Sequence, residues 1–351
     1  MSTSFEEILN AYDYTISPKL IANTPTTPRD SAKLLVYKRA TKEVCFDTFR
    51  NVYKYLPKGA MLVLNDTKVL PARLVVRKKK IGDQGGGSVE LLYIGTQGKE
   101  IIMLSNKKLV LGAELFLTKT LYFTVQAQEG SVYMLSPSFP LKKFQQVLLR
   151  YGKTPLPPYI KNSPLSERSL REKYQSVFAK EQGSVAAPTA SLHFTKRLLA
   201  TLKQKGFGME FVTLHVNRGT FATLTPEVLE KGTLHEEYYS ISPRTAEKIS
   251  KAKKEGRAII PIGTTALRTL ESVVDSKGNL VNLSGSTRLF IQPGYKFKIA
   301  DGLITNFHVP RSSLMMLVAA LVGREKLLEL YKEAQKRKLK FFSFGDGMLI
   351  I

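Results

Sequence analysis

The sequence AMLVLND at residues 60–66 opens a series of short alternating runs that decides the expected architecture. The runs that follow are ARLVVRK (72–78), SVELLYIG (88–95), EIIMLSN (100–106), AELFLTK (113–119), LYFTVQAQ (121–128) and SVYMLSP (131–137). A period of two is typical of strands, and regularly spaced short strands with turn residues between them are typical of a small barrel or sandwich. We therefore predict an all-β module over residues 59–150, which a helix in PLKKFQQVLLRYG closes.

Outside this module the pattern indicates alternating helices and strands. After the prolyl linker KTPLPPYIK, the segment KRLLATLKQKG predicts a helix with Thr195 as N-cap and Gly206 at its end. SPRTAEKISKAKKEG predicts another, with Ser242 as N-cap and Pro243 in the first turn, followed by the strand RAIIPIG and the helix ALRTLESVV. This alternation is typical of an α/β domain.

Composition limits the possible partners. Lysine and arginine total 53 against 29 acidic residues, a formal net charge of +24, which favours nucleic acid, although a solvated basic surface has the same composition. The acidic N-terminus lacks a signal-peptide core, and no apolar run approaches the roughly 18 residues of a membrane span. We therefore expect a cytoplasmic protein without a membrane partner. The single cysteine, Cys45, excludes an internal disulfide.

The stretch YQSVFAKEQGSVAAPTASLHFT, residues 174–195, combines small and polar residues where a core segment would be periodically apolar. Small side chains let a backbone approach a ligand closely, and a following helix N-terminus favours anionic ligand atoms. A turn that merely packs between two elements would have the same composition. Thr264 and Thr265 follow a predicted strand, where α/β folds place ligands.

The four histidines, at positions 193, 215, 235 and 308, lie at strand ends and in loops, where a structural role is the alternative to catalysis. They form no HExxH motif and no closely spaced pair, so we predict no metal. GxxxxGK[ST] and strand-linked GxGxxG motifs are also absent. These residues alone predict a basic two-part enzyme with a small-ligand pocket.

Blocks along the whole chain carry a resemblance. They are LNDTKVLPARL, PLPPYI, the 174–195 stretch, VTLHV followed by GTF, HEEYY, GTTALRTLES, FIQPGY, LITNFHVPRSSLMMLV and FFSFGDGMLI. In this order they resemble the S-adenosylmethionine:tRNA ribosyltransferase-isomerase family of queuosine biosynthesis. The chain departs from the family pattern at Ser191, where glycine is usual, at Asn217 and Arg218, where small residues are usual, and at Gly347, where alanine is usual.

The resemblance implies a monomer-sized mixed α/β domain, residues 1–58 and 151–351, interrupted by an inserted, mostly antiparallel β-barrel domain, residues 59–150. It also implies transfer and isomerisation of the ribosyl moiety of S-adenosylmethionine onto 7-aminomethyl-7-deazaguanine in the anticodon of a tRNA. S-adenosylmethionine is then a consumed substrate, and no cofactor or metal is expected. The alternatives are a non-catalytic basic RNA-binding protein and an RNA methyltransferase.

The implied chemistry needs a base, a means of holding a sulfonium cation, and contacts for the adenosyl group and the nucleobase. His193 or His215 is expected as base, Tyr174 or Phe194 as the aromatic contact to the sulfonium, and Glu237 as an opposing charge or alternative base. Residues expected to bind the adenosyl group and the nucleobase are Gly183, Ser184, Ala186, Ala187, Pro188, Thr189, Thr264, Thr265, Asn306 and His308. Arg73, Arg77 and Lys79 are expected to bind tRNA.

Overall fold

The computed structural model describes residues 4–81, 84–216, 224–275 and 278–351. Strands before and in the barrel region are β1 Lys33–Lys38, β2 Glu43–Thr48, β3 Met61–Asn65, β4 Thr67–Val69, β5 Arg73–Lys78, β6 Lys80–Ile81, β7 Gln84–Gly85, β8 Ser88–Gln97, β9 Glu100–Ser105, β10 Glu114–Phe116, β11 Tyr122–Glu129 and β12 Val132–Pro137. The later strands are β13 Glu181–Ser184, β14 Gly208–Leu214, β15 Thr233–Ser240, β16 Ile259–Ile262, β17 Ser284–Leu289, β18 Leu303–Asn306 and β19 Gly347–Ile350. The α-helices are α1 Phe5–Asn10, α2 Phe144–Tyr151, α3 Glu167–Lys173, α4 Lys196–Gln204, α5 Pro226–Lys231, α6 Pro243–Lys254, α7 Thr264–Val273, α8 Ser313–Val322 and α9 Arg324–Lys336.

A large mixed sheet organises the α/β part. Among the described residues its strand order is β17-β15-β14-β3-β16-β18-β19-β1-β2. The four strands β14, β3, β16 and β18 are parallel neighbours. Their carboxyl ends therefore meet at one edge of the sheet, the position at which open α/β sheets bind ligands.

Strands β10-β11-β12-β9-β8-β5 close into an antiparallel barrel around its own apolar core. The barrel closes where Phe116 of β10 pairs with Arg77 of β5. Val185, from the small-residue stretch, packs into this core and links the barrel to the α/β part. The prediction of a mixed α/β fold with an inserted, mostly antiparallel barrel is confirmed.

The run AMLVLND is part of the large sheet and not of the barrel, so its assignment to the all-β module is wrong. It forms β3, between β14 and β16, and all five residues of this strand are buried. A strand covered on both faces reads as a continuous apolar run, and alternation cannot then show which sheet it joins. The barrel strands span residues 73–137, and the domain boundaries at residues 59 and 151 stay a prediction.

Two predicted helix starts are confirmed. Thr195 caps α4 by accepting from the Leu198 N–H, and Ser242 caps α6 by accepting from the Thr245 N–H, with Pro243 in the first turn. Within the described ranges no helix combines the length and the apolar character that crossing a bilayer requires.

Candidate active site

Polar side chains gather where the four parallel strands end. Asn65 is the last residue of β3, Asn306 is the last of β18, and His215 directly follows β14. After β16, Gly263 has a φ of +86° and turns the chain into α7, so that Thr264 and Thr265 form the first turn of this helix. The predicted placement of the two threonines at a strand end is confirmed.

Two adjoining cavities open at this edge. The first, here called the loop cavity, has a volume of about 110 Å³, and its walls include Ala187, Thr189, Thr264 and Asn306. The second, here called the β15 cavity, has a volume of about 220 Å³, and its walls include residues of β15 and of the start of α8. The cavities share Tyr159, Arg268, Val309 and Leu314 as wall residues, so they adjoin each other at these side chains.

The small-residue stretch divides between cavity wall and structural packing. Residues 186–190, Ala-Ala-Pro-Thr-Ala, line the loop cavity. Gly183 lies instead against the ring of His215, where a Cβ atom would come within 2.9 Å of ring atoms. The Ser184 hydroxyl is fully buried and bonds to the backbone of Ala186 and Val216. At Gly183 the close neighbour is thus a histidine ring, and the expected approach of this backbone to a ligand stays a prediction.

A hydrogen-bonded chain fixes the polar wall of the loop cavity. The Thr189 hydroxyl donates to Asn306 Oδ1 at 2.8 Å, and Asn306 Nδ2 donates to His193 Nε2 at 3.2 Å. Thr265 is also a wall residue, and the fully buried Asn65 donates to its hydroxyl at 3.1 Å and to the Leu214 carbonyl at 3.0 Å. These partners leave Asn306 and Thr265 little rotational freedom.

His193 lies behind Asn306 and not on the cavity wall. Its ring stacks on Phe49 with centroids 4.6 Å apart, and burial lowers its pKa to about 4, an effect that a hydrogen bond with the Arg29 backbone partly offsets. The neutral ring therefore accepts from Asn306 at physiological pH. This geometry suits an orienting group.

His308 is equally buried but lines the loop cavity. Its Nε2 lies 2.8 Å from the Thr305 hydroxyl, and burial lowers its pKa to about 4. Its backbone N–H donates to the Tyr331 hydroxyl, and its carbonyl accepts from the Tyr14 hydroxyl. The side chain is therefore neutral and bonded to Thr305, while the two tyrosines fix the backbone of His308.

His215 is only half-buried. Its Nδ1 lies 2.8 Å from the Thr67 hydroxyl, and burial lowers its pKa, while the charges of Asp66 and Glu181 act in the opposite direction. An imidazole that is neutral near pH 7 and oriented by a hydroxyl is able to take up a proton. Its ring is not part of the wall of either cavity.

Glu237 and Arg268 form a buried ion pair in the wall of the β15 cavity. Glu237 is 2% exposed and Arg268 is 6% exposed, and Arg268 Nη1 donates to Glu237 Oε2. His235 lies on the same face of β15, whereas Glu236 points to the exposed face and bonds to Ser286. The predicted acidic group thus already has a counter-ion.

The two candidate aromatic contacts differ in position. Tyr174 is part of the loop cavity wall, and its ring packs edge-on against Phe344. Burial raises the pKa of its hydroxyl, so the ring stays neutral. Phe194 is fully buried in the core beneath the sheet and contacts Phe49. The structure therefore brings Tyr174, but not Phe194, to the cavity.

The three basic residues predicted for tRNA lie on or next to β5. Arg77 and Lys79 are exposed, and Lys79 pairs with Glu114. Arg73 is partly buried: it pairs with Glu90 at 2.7 Å and donates to the Leu156 carbonyl at 2.9 Å. Arg73 therefore joins the barrel to the prolyl linker.

Two departures from the family pattern lie near His193. A Cβ atom at Gly347 would come within 2.9 Å of the Phe49 ring and 3.5 Å of His193 Nε2, so glycine fits the stacked pair. Nothing in the structure explains the buried hydroxyl of Ser191, which has no partner among the described residues. Asn217 and Arg218 lie outside the described residues.

Sequence reasoning missed Arg268 and Tyr159, both of which border the two cavities. A signal for Arg268 was present, because it follows Thr264 by four positions and Thr265 by three and so shares their helix face. A lone cation at that spacing on a buried helix indicates a ligand or a counter-ion. Within the four described ranges, His, Cys, Asp and Glu side chains form no group of three or more that could hold a metal ion.

Comparison with known proteins gives a consistent result. A family model described as queuosine biosynthesis protein matches residues 9–350. The chain is 45% identical over 347 residues to the S-adenosylmethionine:tRNA ribosyltransferase-isomerase of Carboxydothermus hydrogenoformans, covering 98% of this chain and 99% of that protein. It is 42% identical over 353 residues to the protein of the same name from Thermotoga maritima, with 98% and 99% covered. A crystal structure of S-adenosylmethionine tRNA ribosyltransferase from Thermotoga maritima aligns with a TM-score of 0.55 and 33% identity, over 97% of this chain and all of that chain.

Proposed function

The chain belongs to the S-adenosylmethionine:tRNA ribosyltransferase-isomerase family of queuosine biosynthesis, and on this basis we propose the reaction that it catalyses. The enzyme transfers and isomerises the ribosyl moiety of S-adenosylmethionine onto 7-aminomethyl-7-deazaguanine at the wobble position of a tRNA. Epoxyqueuosine-tRNA, adenine and methionine are the products. S-adenosylmethionine is consumed as a substrate, and no separate cofactor takes part.

The observation that carries this proposal is the pair of adjoining cavities at the carboxyl ends of the parallel strands. The loop cavity offers hydroxyl and amide groups of Thr189, Thr264, Thr265 and Asn306, which suit the adenosyl group. The β15 cavity continues beyond Arg268 and gives room for the remainder of the substrate. S-adenosylmethionine is elongated, and two adjoining cavities would hold its two ends on either side of the ribose.

The first chemical step requires a base, because the sulfonium makes the adjacent 5′-carbon acidic. We assign this role to His215, which is neutral, half-buried and oriented by Thr67. The residue directly precedes Val216 of the loop cavity wall, and its ring must turn toward the cavity to reach the substrate. His193 serves instead to orient Asn306. Tyr174 contributes a ring face to the sulfonium, a contact worth about 1 to 2 kcal/mol when desolvated.

The outer face of the barrel is proposed to hold the tRNA, through Arg77 and Lys79, while Arg73 fixes the orientation of the barrel. Both substrates meet in the cytoplasm, which is where we place the enzyme.

The test is product analysis with both substrates present. The protein mixed with S-adenosylmethionine and tRNA bearing 7-aminomethyl-7-deazaguanine should release adenine and methionine in equal amounts, because both the glycosidic and the sulfonium bond break. S-adenosylhomocysteine as the product would indicate a methyltransferase. Unchanged S-adenosylmethionine would indicate a binding protein, and either result would contradict the proposal.

A further inference from the structure

Arg268 carries a buried donor that has no acceptor among the described residues. Its Nη1 donates to Glu237 and its Nε donates to the Leu289 carbonyl at 3.0 Å. Nη2 is buried as well, yet no described atom lies within hydrogen-bonding distance and geometry. The other two nitrogens are thus used to hold the guanidinium in place.

Leaving such a donor without a partner is costly. Hydrogen bonds to charged groups are stronger than those between neutral groups, and a buried polar group without a partner loses its hydration without compensation. Arg268 lies in the wall of both cavities, so a ligand that spans them passes this side chain. The arrangement is that of a site whose missing acceptor belongs to a ligand.

The surroundings of Arg268 indicate the chemistry of that ligand. The β15 cavity presents Leu234, Leu314 and Leu317, which suit a short aliphatic chain. Ser312 and Ser313 belong to the start of α8, a helix of ten residues whose N-terminal N–H groups favour a negative charge. Since Glu237 neutralises the single positive charge of Arg268, the N-terminus of α8 supplies the additional positive potential that favours an anion.

We infer that Arg268 binds the carboxylate of the amino-acid part of S-adenosylmethionine, with the aliphatic chain in the β15 cavity and the adenosyl group in the loop cavity. Guanidinium and carboxylate form strong charge-assisted hydrogen bonds with defined geometry. Arg268 is thereby a binding residue that fixes the position of the sulfonium between the two cavities. The inference rests on the proposed function and adds to it the recognition of the methionine end.

The experiment compares S-adenosylmethionine with its decarboxylated analogue, measuring the dissociation constant of each by titration calorimetry without tRNA. The wild-type protein should prefer S-adenosylmethionine on the order of 10- to 100-fold, the value of one charge-assisted hydrogen bond. Arg268→Gln combined with Glu237→Gln removes both charges together, so that neither remains buried alone. This double variant should bind the two compounds with similar affinity.

Two further variants keep the test decisive. Arg268→Lys retains a positive charge for Glu237 but loses the guanidinium fork, so it should fold and show reduced discrimination even if the double variant unfolds. Arg311→Gln tests the rival arginine of the β15 cavity, whose Nη2 pairs with Glu6 and whose buried Nε also has no partner among the described residues. It should keep the preference for S-adenosylmethionine.

Three outcomes would overturn the inference. Equal affinity of the wild-type protein for the two compounds would show that the carboxylate is not recognised, while adenine release could still confirm the proposed function. Loss of discrimination in Arg311→Gln, and not in the Arg268 variants, would assign the carboxylate to Arg311. An Arg268→Lys variant that loses affinity only for the tRNA substrate would assign Nη2 to the nucleobase. Absence of any S-adenosylmethionine binding, together with absence of adenine release, would contradict the proposed function itself.

Discussion

At the two cavities, Glu237 and Asn306 are buried and held by named partners, whereas on the outer face of β5 the basic side chains Arg77 and Lys79 are exposed to water. Glu237 is fixed by Arg268, and Asn306 by Thr189 and His193. Arg77 and Lys79 extend from the barrel with, at most, a surface ion pair. A buried group acts through one geometry and is costly to disturb, while exposed charges act additively and are screened by salt.

The largest expected effect is at Glu237. Glu237→Ala leaves the buried Arg268 guanidinium without its counter-ion, and we expect the free energy of unfolding to fall by about 3 to 5 kcal/mol. Glu236→Ala is the matched control, because Glu236 is the preceding residue of β15 but faces solvent. It should cost less than about 1 kcal/mol. Urea unfolding monitored by circular dichroism measures the free energy of unfolding of both variants. Equal losses of stability would contradict the distinction between the buried and the exposed face of β15.

The next effect concerns the chemical step. His215→Ala should lower the single-turnover rate of adenine release by on the order of a hundredfold or more, the usual range for removal of a general base. His193→Ala should act more weakly, because it disturbs only the orientation of Asn306. If both variants keep the wild-type rate, the histidines are structural, and Glu237 becomes the leading candidate for the base.

The buried histidines should make the free energy of unfolding depend on pH. His193 and His308 have pKa values of about 4 in the folded protein, against about 6.5 when unfolded. The unfolded chain therefore binds more protons between these pH values, so the free energy of unfolding falls as pH drops through this window. Each histidine contributes at most about 1.4 kcal/mol per pH unit, and none of this loss occurs well above pH ~6.5.

His193→Gln isolates this contribution. The variant should lose less stability than the wild-type protein between about pH 6.5 and about pH 5, since it has one fewer group to protonate. Urea unfolding at the two pH values gives the difference between the proteins, which cancels the contribution of other titrating groups. Parallel pH profiles would show that His193 is not held neutral by burial.

Substitutions of the exposed basic residues of the barrel should have the smallest effect per residue, and this effect should be on the affinity for tRNA. Arg77→Ala combined with Lys79→Ala should weaken tRNA binding several-fold and lower the slope of log K against log salt by up to about 0.9 for each phosphate that the variant no longer neutralises. The affinity for S-adenosylmethionine should not change. Lys332→Ala with Lys336→Ala on α9 is the matched control, because it removes the same charge and also breaks one surface ion pair. If both double variants weaken tRNA binding equally, the loss reflects the change in net charge, and the β5 face is not a binding site.

The sequence predicted local features well, because these depend on nearby residues. Thr195 and Ser242 were recognisable as caps, and Thr264 and Thr265 as hydroxyls at a strand end. Contacts between distant segments were not predictable. Arg268 meets Glu237 only because α7 packs beside β15, and the same kind of long-range packing turns Phe194 into the core.

The strand β3 shows the same limit at the level of the fold. Its apolar residues indicate a buried strand, but the sheet to which it belongs depends on pairing with β14 and β16, far away in the chain. The α4 N-terminus was expected to face a ligand, yet the hydroxyl of its cap, Thr195, donates to Asp30 at 2.8 Å. Helix ends that do border the cavities belong to α7 and α8.

The most direct test follows the fate of isotope label in S-adenosylmethionine during reaction with tRNA bearing 7-aminomethyl-7-deazaguanine. Label in the ribosyl carbons should appear on the tRNA, and label in the methyl group should leave with methionine. This result is predicted because the proposed reaction cleaves S-adenosylmethionine on both sides of its ribose. Methyl label retained on the tRNA, with the ribosyl label left in solution, would contradict the account.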